Sequence, residues 1–516
     1  MKKNLLLLSF LCATSLLQAQ AKGDYTWPLG YGSTYDISPD YDGMLLGFGQ
    51  SPPSLVTQTM LAKPITFICD SSGNLRLYFN GCMLANGQHE IIENSDGILL
   101  GFDFSNPPAC EGITTAGGYQ NALLLQAPGS DDLYYLFYLY KDLPFDYSFT
   151  LLYAVIDMSM NGGAGKVILK NQPAQVSGSP INLNTHISAV RHGNGRDWWI
   201  VCPTQTNNPN RLVLLLTPEG ITQPYFSPSS PAIPLTFNQK KKPAQIGFTA
   251  DGKKYFRTIP DFGLEILDFN RCTGRFSNIR PISSTYLNIS QEGGPVPHYL
   301  GAVSSPSGRF LYVSTGQRLF QFDLWSDSIL TTRQVIADFD VTQIDPPSFY
   351  QGYCAPDGKI YFGRSTKAKH LHVVKKPDLP GVACEFEAFG FPLPAYQNSI
   401  LPNFPHFRLL DLQDSPCDTL GIDLVNVQGP DVPAGNILRV DPNPSEGQFQ
   451  VHLPADFRGG TVQVYNAAGQ PVFGEKIPQE SIYTITLNTQ PNGLYWIILQ
   501  HQDGRPAGYS KIMINR

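Results

Sequence analysis

The chain has 516 residues, of which 42 % are hydrophobic and only 15 % charged, against about 25 % charged in an average soluble protein. Gly (47), Pro (43), Phe (30) and Tyr (25) are abundant, which excludes a coiled coil and points to a large all-β protein with room for two or three domains. A formal charge of −6 argues against nucleic acid as a partner.

Residues 1–21 read as a signal peptide. Lys2 and Lys3 are followed by an apolar stretch from Leu5 to Leu17 and by the small-x-small site Ala19-Gln20-Ala21. The apolar stretch falls short of the roughly 20 residues a membrane span needs. Leu11 is too large to precede a lipoprotein cleavage at Cys12. No later stretch has the length and apolarity of a span, so the mature chain is expected to lack a transmembrane segment.

Residues 22–413 carry a recurring hairpin and no useful helical period. It appears at Asp70-Ser-Ser-Gly73, Pro128-Gly-Ser-Asp131, His192-Gly-Asn-Gly195, Thr249-Ala-Asp-Gly252, Ser305-Pro-Ser-Gly308 and Ala355-Pro-Asp-Gly358. A strand rich in aromatic and β-branched residues follows each turn. The period of roughly 50–60 residues with several strands per unit predicts a β-propeller, because radial packing lets each sheet bury its neighbour's face and leaves only short edges. Six units are visible. Residues 25–48 and 400–412 are expected to pair in one closing sheet, which gives seven blades; six is the alternative.

Residues 414–435, polar and rich in Pro, Gly and Asp, read as a linker. Residues 436–516 follow as a separate unit. Seven short alternating runs, Ile437–Val440, Phe449–Leu453, Val462–Tyr465, Val472–Ile477, Tyr483–Leu487, Leu494–Leu499 and Lys511–Ile514, are separated by turn residues and predict an immunoglobulin-like β-sandwich.

Three motifs of this last unit carry a resemblance. Asp441-Pro-Asn-Pro-Ser-Glu-Gly447, Val462-Gln-Val-Tyr-Asn-Ala-Ala-Gly469 and Pro491-Asn-Gly-Leu-Tyr-Trp-Ile497, ahead of the basic ending Lys511-Ile-Met-Ile-Asn-Arg516, resemble the C-terminal type A sorting domain of type IX secretion cargo. The motif positions are Pro442, Asn443, Pro444, Gly447, Tyr465, Gly469, Gly493, Tyr495 and Lys511. The resemblance implies passage through the outer membrane by the type IX machinery, after signal-peptide export to the periplasm. The repeat region is more loosely similar to uncharacterised secreted Bacteroidota proteins, through Cys69-Asp-Ser-Ser-Gly-Asn-Leu75, Leu77-Tyr-Phe-Asn-Gly-Cys82, Asp268-Phe-Asn-Arg-Cys-Thr-Gly274 and Leu401-Pro-Asn-Phe404. That likeness implies no activity.

Beyond Cys12 there are eight cysteines, an even number in an exported chain and without C-x-x-C spacing, so disulfides are expected rather than zinc. The expected pairs are Cys82–Cys110, across the Asn86–Ala109 excursion, and Cys354–Cys384, within the sixth repeat. His370-Leu-His372 is half a metal site at most and reads as a solvated face among lysines. Asp36 to Asp42 lacks EF-hand spacing, and Lys240-Lys-Lys242 reads as a solvated loop. No metal or cofactor is expected. There is no G-x-S-x-G, H-E-x-x-H or P-loop. The catalytic residues, if there are any, are not legible. The loops Asn86–Ala116 and Pro144–Phe149 are expected rims for a ligand at the channel mouth.

The expected protein is secreted or displayed on the outer cell surface. Its expected role is binding or adhesion to glycan or protein. The alternative is a hydrolase or lyase on the same scaffold, acting on extracellular polysaccharide or peptide. Converging carboxylates or histidines in a deep pocket would mark the enzyme, and exposed aromatics the binder.

Overall fold

The structure is a computed structural model. It describes residues 22–30, 41–60, 64–98 without 82, 120–140, 149–174, 183, 186–204, 210–222, 224–228, 245–259, 263–283, 287, 301–340, 348–364, 368–397, 401–413, 415–420, 438–443, 445–454, 457–466, 471–491, 493–502 and 506–514. The predicted signal peptide, Asp36 to Asp40, Lys240 to Lys242 and the centres of both expected rim loops lie outside the described residues. The chain divides into two compact units, Met1–Ile422 and Asp423–Arg516.

The first unit is a β-propeller of seven antiparallel sheets taken in chain order. They span residues 26–60, 66–86, 122–173, 188–228, 246–283, 301–338 and 352–397. The first two sheets have three strands each and the fourth has five; the others have four. In the later blades the middle strands are buried throughout, as in Trp198–Pro203 and Phe310–Ser314. The last strands, such as Phe276–Ser283 and Gln334–Asp338, are mostly exposed. This gradient is what radial packing requires: middle strands have a neighbouring blade on each face, and outer strands meet water.

The repeated hairpin forms in all six units. Gly73, Gly129, Gly195, Gly252, Gly308 and Gly358 all have φ between 69° and 91°. At Gly252 two constraints coincide: φ is +69°, and an added Cβ would lie 2.7 Å from Arg271 Cδ, so both the turn and the close packing require glycine. Because antiparallel strands alternate in direction, these tight turns all lie on one face of the ring. The longer blade-to-blade connections leave from the other.

The ring closes differently from the expected way. Among the described residues Thr26–Gly30 pairs only with Tyr41–Gly47, and no ladder joins residues 25–48 to residues 400–412. The last blade is built wholly from residues 352–397, and the first strand packs against its outermost strand, Phe386–Gln397. Residues 401–412 do meet the N-terminal segment, but through side chains. Trp27 lies against Phe404 with ring centroids 5.3 Å apart, and Arg408 forms two 2.6 Å bonds with the fully buried carboxylate of Asp24. The physical reason is in the sequence: Pro402 and Pro405 lack the N–H groups that an antiparallel ladder needs.

The second unit is the predicted sandwich. All seven strands appear, arranged as a three-stranded sheet (Val440–Asp441, Gln448–His452, Ile482–Thr486) and a four-stranded sheet (Pro471–Ile477, Gly460–Asn466, Gly493–His501, Pro506–Ile514). Their inward side chains, among them Phe449, Val451, Val464, Ile485, Ile497 and Ile512, form one core.

Candidate functional site

A propeller presents the inner edges of its innermost strands to a central channel, and those edges carry unpaired N–H and C=O groups. Here three amide side chains satisfy them across blades. Gln120 receives the Ile246 N–H at 2.8 Å and returns a 3.0 Å bond to the Ile246 carbonyl. Gln245 receives the Ala302 N–H at 3.0 Å and donates to the Gly352 carbonyl at 2.9 Å. Asn403 donates to the carbonyls of Ala122 and Ile187, and its Oδ1 accepts from Gln120 at 3.0 Å. A buried amide offers two donors and an acceptor, so one side chain can join several strand edges.

Residues 401–417 form a strap along this axis. At one end the Asn403 N–H binds the Ile65 carbonyl, and Phe404 stacks on Tyr353 with centroids 4.7 Å apart. At the other end the strap reaches the tight turns: Leu412 N–H donates to the Gly193 carbonyl, and Arg271 donates to the Leu410 carbonyl. Arg191, stacked 4.2 Å from the Trp198 ring centroid, donates to the Phe407 carbonyl. Burial, with the charge of Arg271 nearby, pushes the Arg191 guanidinium down to about 9. Cys417 is joined to Cys272 in the Asn270–Gly274 turn by a disulfide.

A partly open cavity of about 70 Å³ lies on this axis, lined among the described residues by the innermost strands and by Phe404, Pro405 and His406. Its polar lining among the described residues is Gln120, Ser188, Gln245, Ser304, Tyr353, Cys354 and His406, and no carboxylate is among them. Burial holds His406 down to about 3, helped by the charges of Arg408, Arg271 and Arg191, so its imidazole is neutral at physiological pH. Ligand pockets usually measure 300–1,000 Å³; this one has room for a few waters.

The other sequence candidates are scattered. Cys354 and Cys384 are not paired: both are free thiols. Cys354 ends the innermost strand of the last blade, while Cys384 precedes its outermost strand. In a four-stranded blade those positions are separated by three strand spacings, roughly 14 Å, beyond disulfide reach. Cys82 and Cys110 lie outside the described residues. His370 is exposed, but His372 is 1 % exposed and packs against Phe349, Phe386 and Phe389. It is therefore a core histidine and not part of a solvated face; burial pushes it down to about 4. Among the described residues no three His, Cys, Asp or Glu side chains converge as a metal site.

In the sandwich the motif residues gather around the terminal strand Pro506–Ile514. Asn443 Nδ2 donates to the Lys511 carbonyl at 2.8 Å, and Ser445 bridges to Ile514 in parallel. Gly447 (φ 115°) accepts from the Leu487 N–H. Tyr495 is buried and donates to the Pro491 carbonyl at 2.7 Å, while Tyr465 donates to Gln463. Lys511 Nζ stands 4.3 Å from the Trp496 ring centroid. The Asp441–Pro442 peptide is cis, and Gly493 has φ 154°. Pro444 and Gly469 lie outside the described residues.

Comparison with known proteins agrees with the C-terminal motifs. Residues 439–515 match the family model described as the secretion system C-terminal sorting domain. The chain therefore carries a type IX sorting domain, which indicates export to the cell surface or extracellular space. No helix among the described residues is long and apolar enough to cross a membrane. No curated protein matches the chain. Among solved structures it is similar to a periplasmic gluconolactonase of Pseudomonas aeruginosa, at 15 % identity over 73 % of this chain and 99 % of that one, with a TM-score of 0.39. It is also similar to the extracellular domain of a putative hybrid two-component system from B. thetaiotaomicron, at 12 % identity over 96 % and 58 %, with a TM-score of 0.33. A third is the Cps50 (Swd1) β-propeller domain of Myceliophteria thermophila, at 12 % identity over 78 % and 97 %, with a TM-score of 0.29.

Proposed function

We propose that this protein is a binding or adhesion module for an extracellular glycan or protein, delivered to the cell surface or beyond by its C-terminal sorting domain. The observation that carries this reading is the filled axis. The centre of a propeller is where a small substrate would be enclosed, and here the chain's own strap leaves about 70 Å³ with no carboxylate among the described residues of its wall. Recognition then falls to the outer surfaces of the ring, which suits a large or extended partner.

The test takes the purified full-length protein to a glycan array and, in parallel, to polysaccharide and peptide hydrolysis or elimination assays. Binding without turnover is the expected result. Saturable turnover that disappears in His406→Ala would replace this reading with the hydrolase or lyase alternative. Delivery is tested separately: deleting residues 436–516 should leave the protein in the periplasm of a host with a working type IX system, and efficient surface display of the truncated chain would refute the role given to the domain.

A further inference from the structure

Trp27, Trp198 and Trp199 are at most 7 % exposed, but Trp325 is 63 % exposed. An aromatic of this size left in water forgoes the burial that the other three gain. Its main chain is anchored, through the backbone N–H, and one guanidinium stands over the ring. Trp325 N–H donates to Asp323 Oδ1 at 3.0 Å, and the Asp323 N–H donates to Thr332 Oγ1 at 2.9 Å. Arg309 grips Asp323 Oδ2 through Nε and Nη2 at 3.1 and 2.8 Å, and its guanidinium carbon lies 5.5 Å from the Trp325 ring centroid.

The ring's own connection and the neighbouring one carry exposed polar side chains beside the exposed Leu330, Leu379 and Val382, and the next blade braces them. Trp325 opens the 324–333 connection of the sixth blade, on the tight-turn face, with Asp327 exposed beside it. Two residues before Arg309, Ser307 is bonded through its N–H and its hydroxyl to Asp378 Oδ1, in the 375–385 connection of the seventh blade. Gln321 ties the same connection down through the Leu379 carbonyl and the Gly381 N–H, both at 2.8 Å. The result is a hydrogen-bonded strip running from the Asp378 carboxylate through Ser307 and the Arg309 guanidinium to an exposed indole.

We infer that this strip is a carbohydrate-binding platform, with Trp325 stacking on a pyranose ring and Arg309, Asp327 and Asp378 meeting its hydroxyls. The chemistry matches one ligand class. The C–H face of a sugar carries slight positive charge and complements the negative face of the indole, while its edge presents hydroxyls that donate and accept. This inference rests on the binding reading and narrows it to glycan.

The full-length protein is tested by affinity electrophoresis in gels containing soluble β-glucan, xylan, α-mannan or hyaluronan, for wild type, Trp325→Ala and Trp325→Phe. At least one polysaccharide should retard the wild type. Trp325→Ala should weaken that affinity about tenfold or more, and Trp325→Phe should retain most of it, since stacking survives. An unchanged thermal midpoint in Trp325→Ala ties the loss to contact rather than folding. Equal retardation of wild type and Trp325→Ala overturns the platform but leaves the binding reading standing. Wild-type mobility unaffected by all four polysaccharides overturns the platform's glycan assignment and moves the search to protein partners. The binding reading itself fails only if turnover is found.

Discussion

The two units bury similar kinds of side chain but close their structures by different means. In the sandwich, seven strands within about 80 residues converge on one core, and the closing contacts, Asn443 to Lys511 and Ser445 to Ile514, join the two edges of the same unit. In the propeller, four separate clusters of buried residues lie between the blades, and amides and a strap join the inner edges. Asn403 alone contacts four blades, and Arg408 reaches back across 384 positions to Asp24. A single core can form from neighbouring strands. A ring needs an element that touches many blades at once, so its integrity concentrates in a few residues.

The sharpest way to break that comparison is truncation. A chain ending at residue 400 should lose the cooperative unfolding of the propeller, whereas one ending at residue 422 should keep it, as read by calorimetry. Cooperative unfolding of the shorter chain would show the strap to be dispensable. Next in size are the strap's anchors. Arg408→Ala leaves the Asp24 carboxylate buried without its cation and should cost about 3–5 kcal/mol in denaturant unfolding. Phe404→Ala should cost a similar amount, about 3–5 kcal/mol, through the cavity it opens. Cys417→Ser releases a 145-residue loop and should cost about 2–4 kcal/mol, an effect that reduction of the wild type should reproduce.

Acid should separate the units more gently. His372 has its pKa lowered from 6.5 to about 4 by burial, so between those values the unfolded chain binds a proton that the folded chain refuses. Stability from this group is complete above about pH 6.5 and falls as pH drops toward 4, by up to about 3 kcal/mol. The thermal midpoint of the propeller should therefore fall between pH 7 and pH 4.5, and more shallowly in His372→Gln. An identical slope in the variant would assign the acid sensitivity elsewhere.

The comparison also explains what could be read from the amino acids. Strand alternation and turn chemistry are local, so the hairpins at Gly73 through Gly358 and all seven sandwich strands were legible. Leu401 to Leu412 reads locally as one more strand, and only Pro402 and Pro405 signal that it cannot join a ladder. Gln120, Gln245 and Asn403 carry no local signal, because the main-chain groups that their amides bind belong to other blades, 57 to 281 positions away. Cys272 and Cys417 share that property: an even cysteine count announces pairing, but only the path of the strap brings these two together. Trp325 stands in an ordinary turn-like segment, and its exposure depends on where the sixth blade places that turn.

The strap also sets an order of events in time. Asp24 is among the earliest residues to emerge during synthesis, yet its partner Arg408 and the disulfide partner Cys417 follow nearly four hundred positions later. Until they arrive, the first blade has no cap on its inner edge and the ring has no axle. The contacts that tie the strap to the first blade and to the Asn270–Gly274 turn can therefore be completed only after the rest of the propeller has been synthesised, just ahead of the sorting domain in the chain.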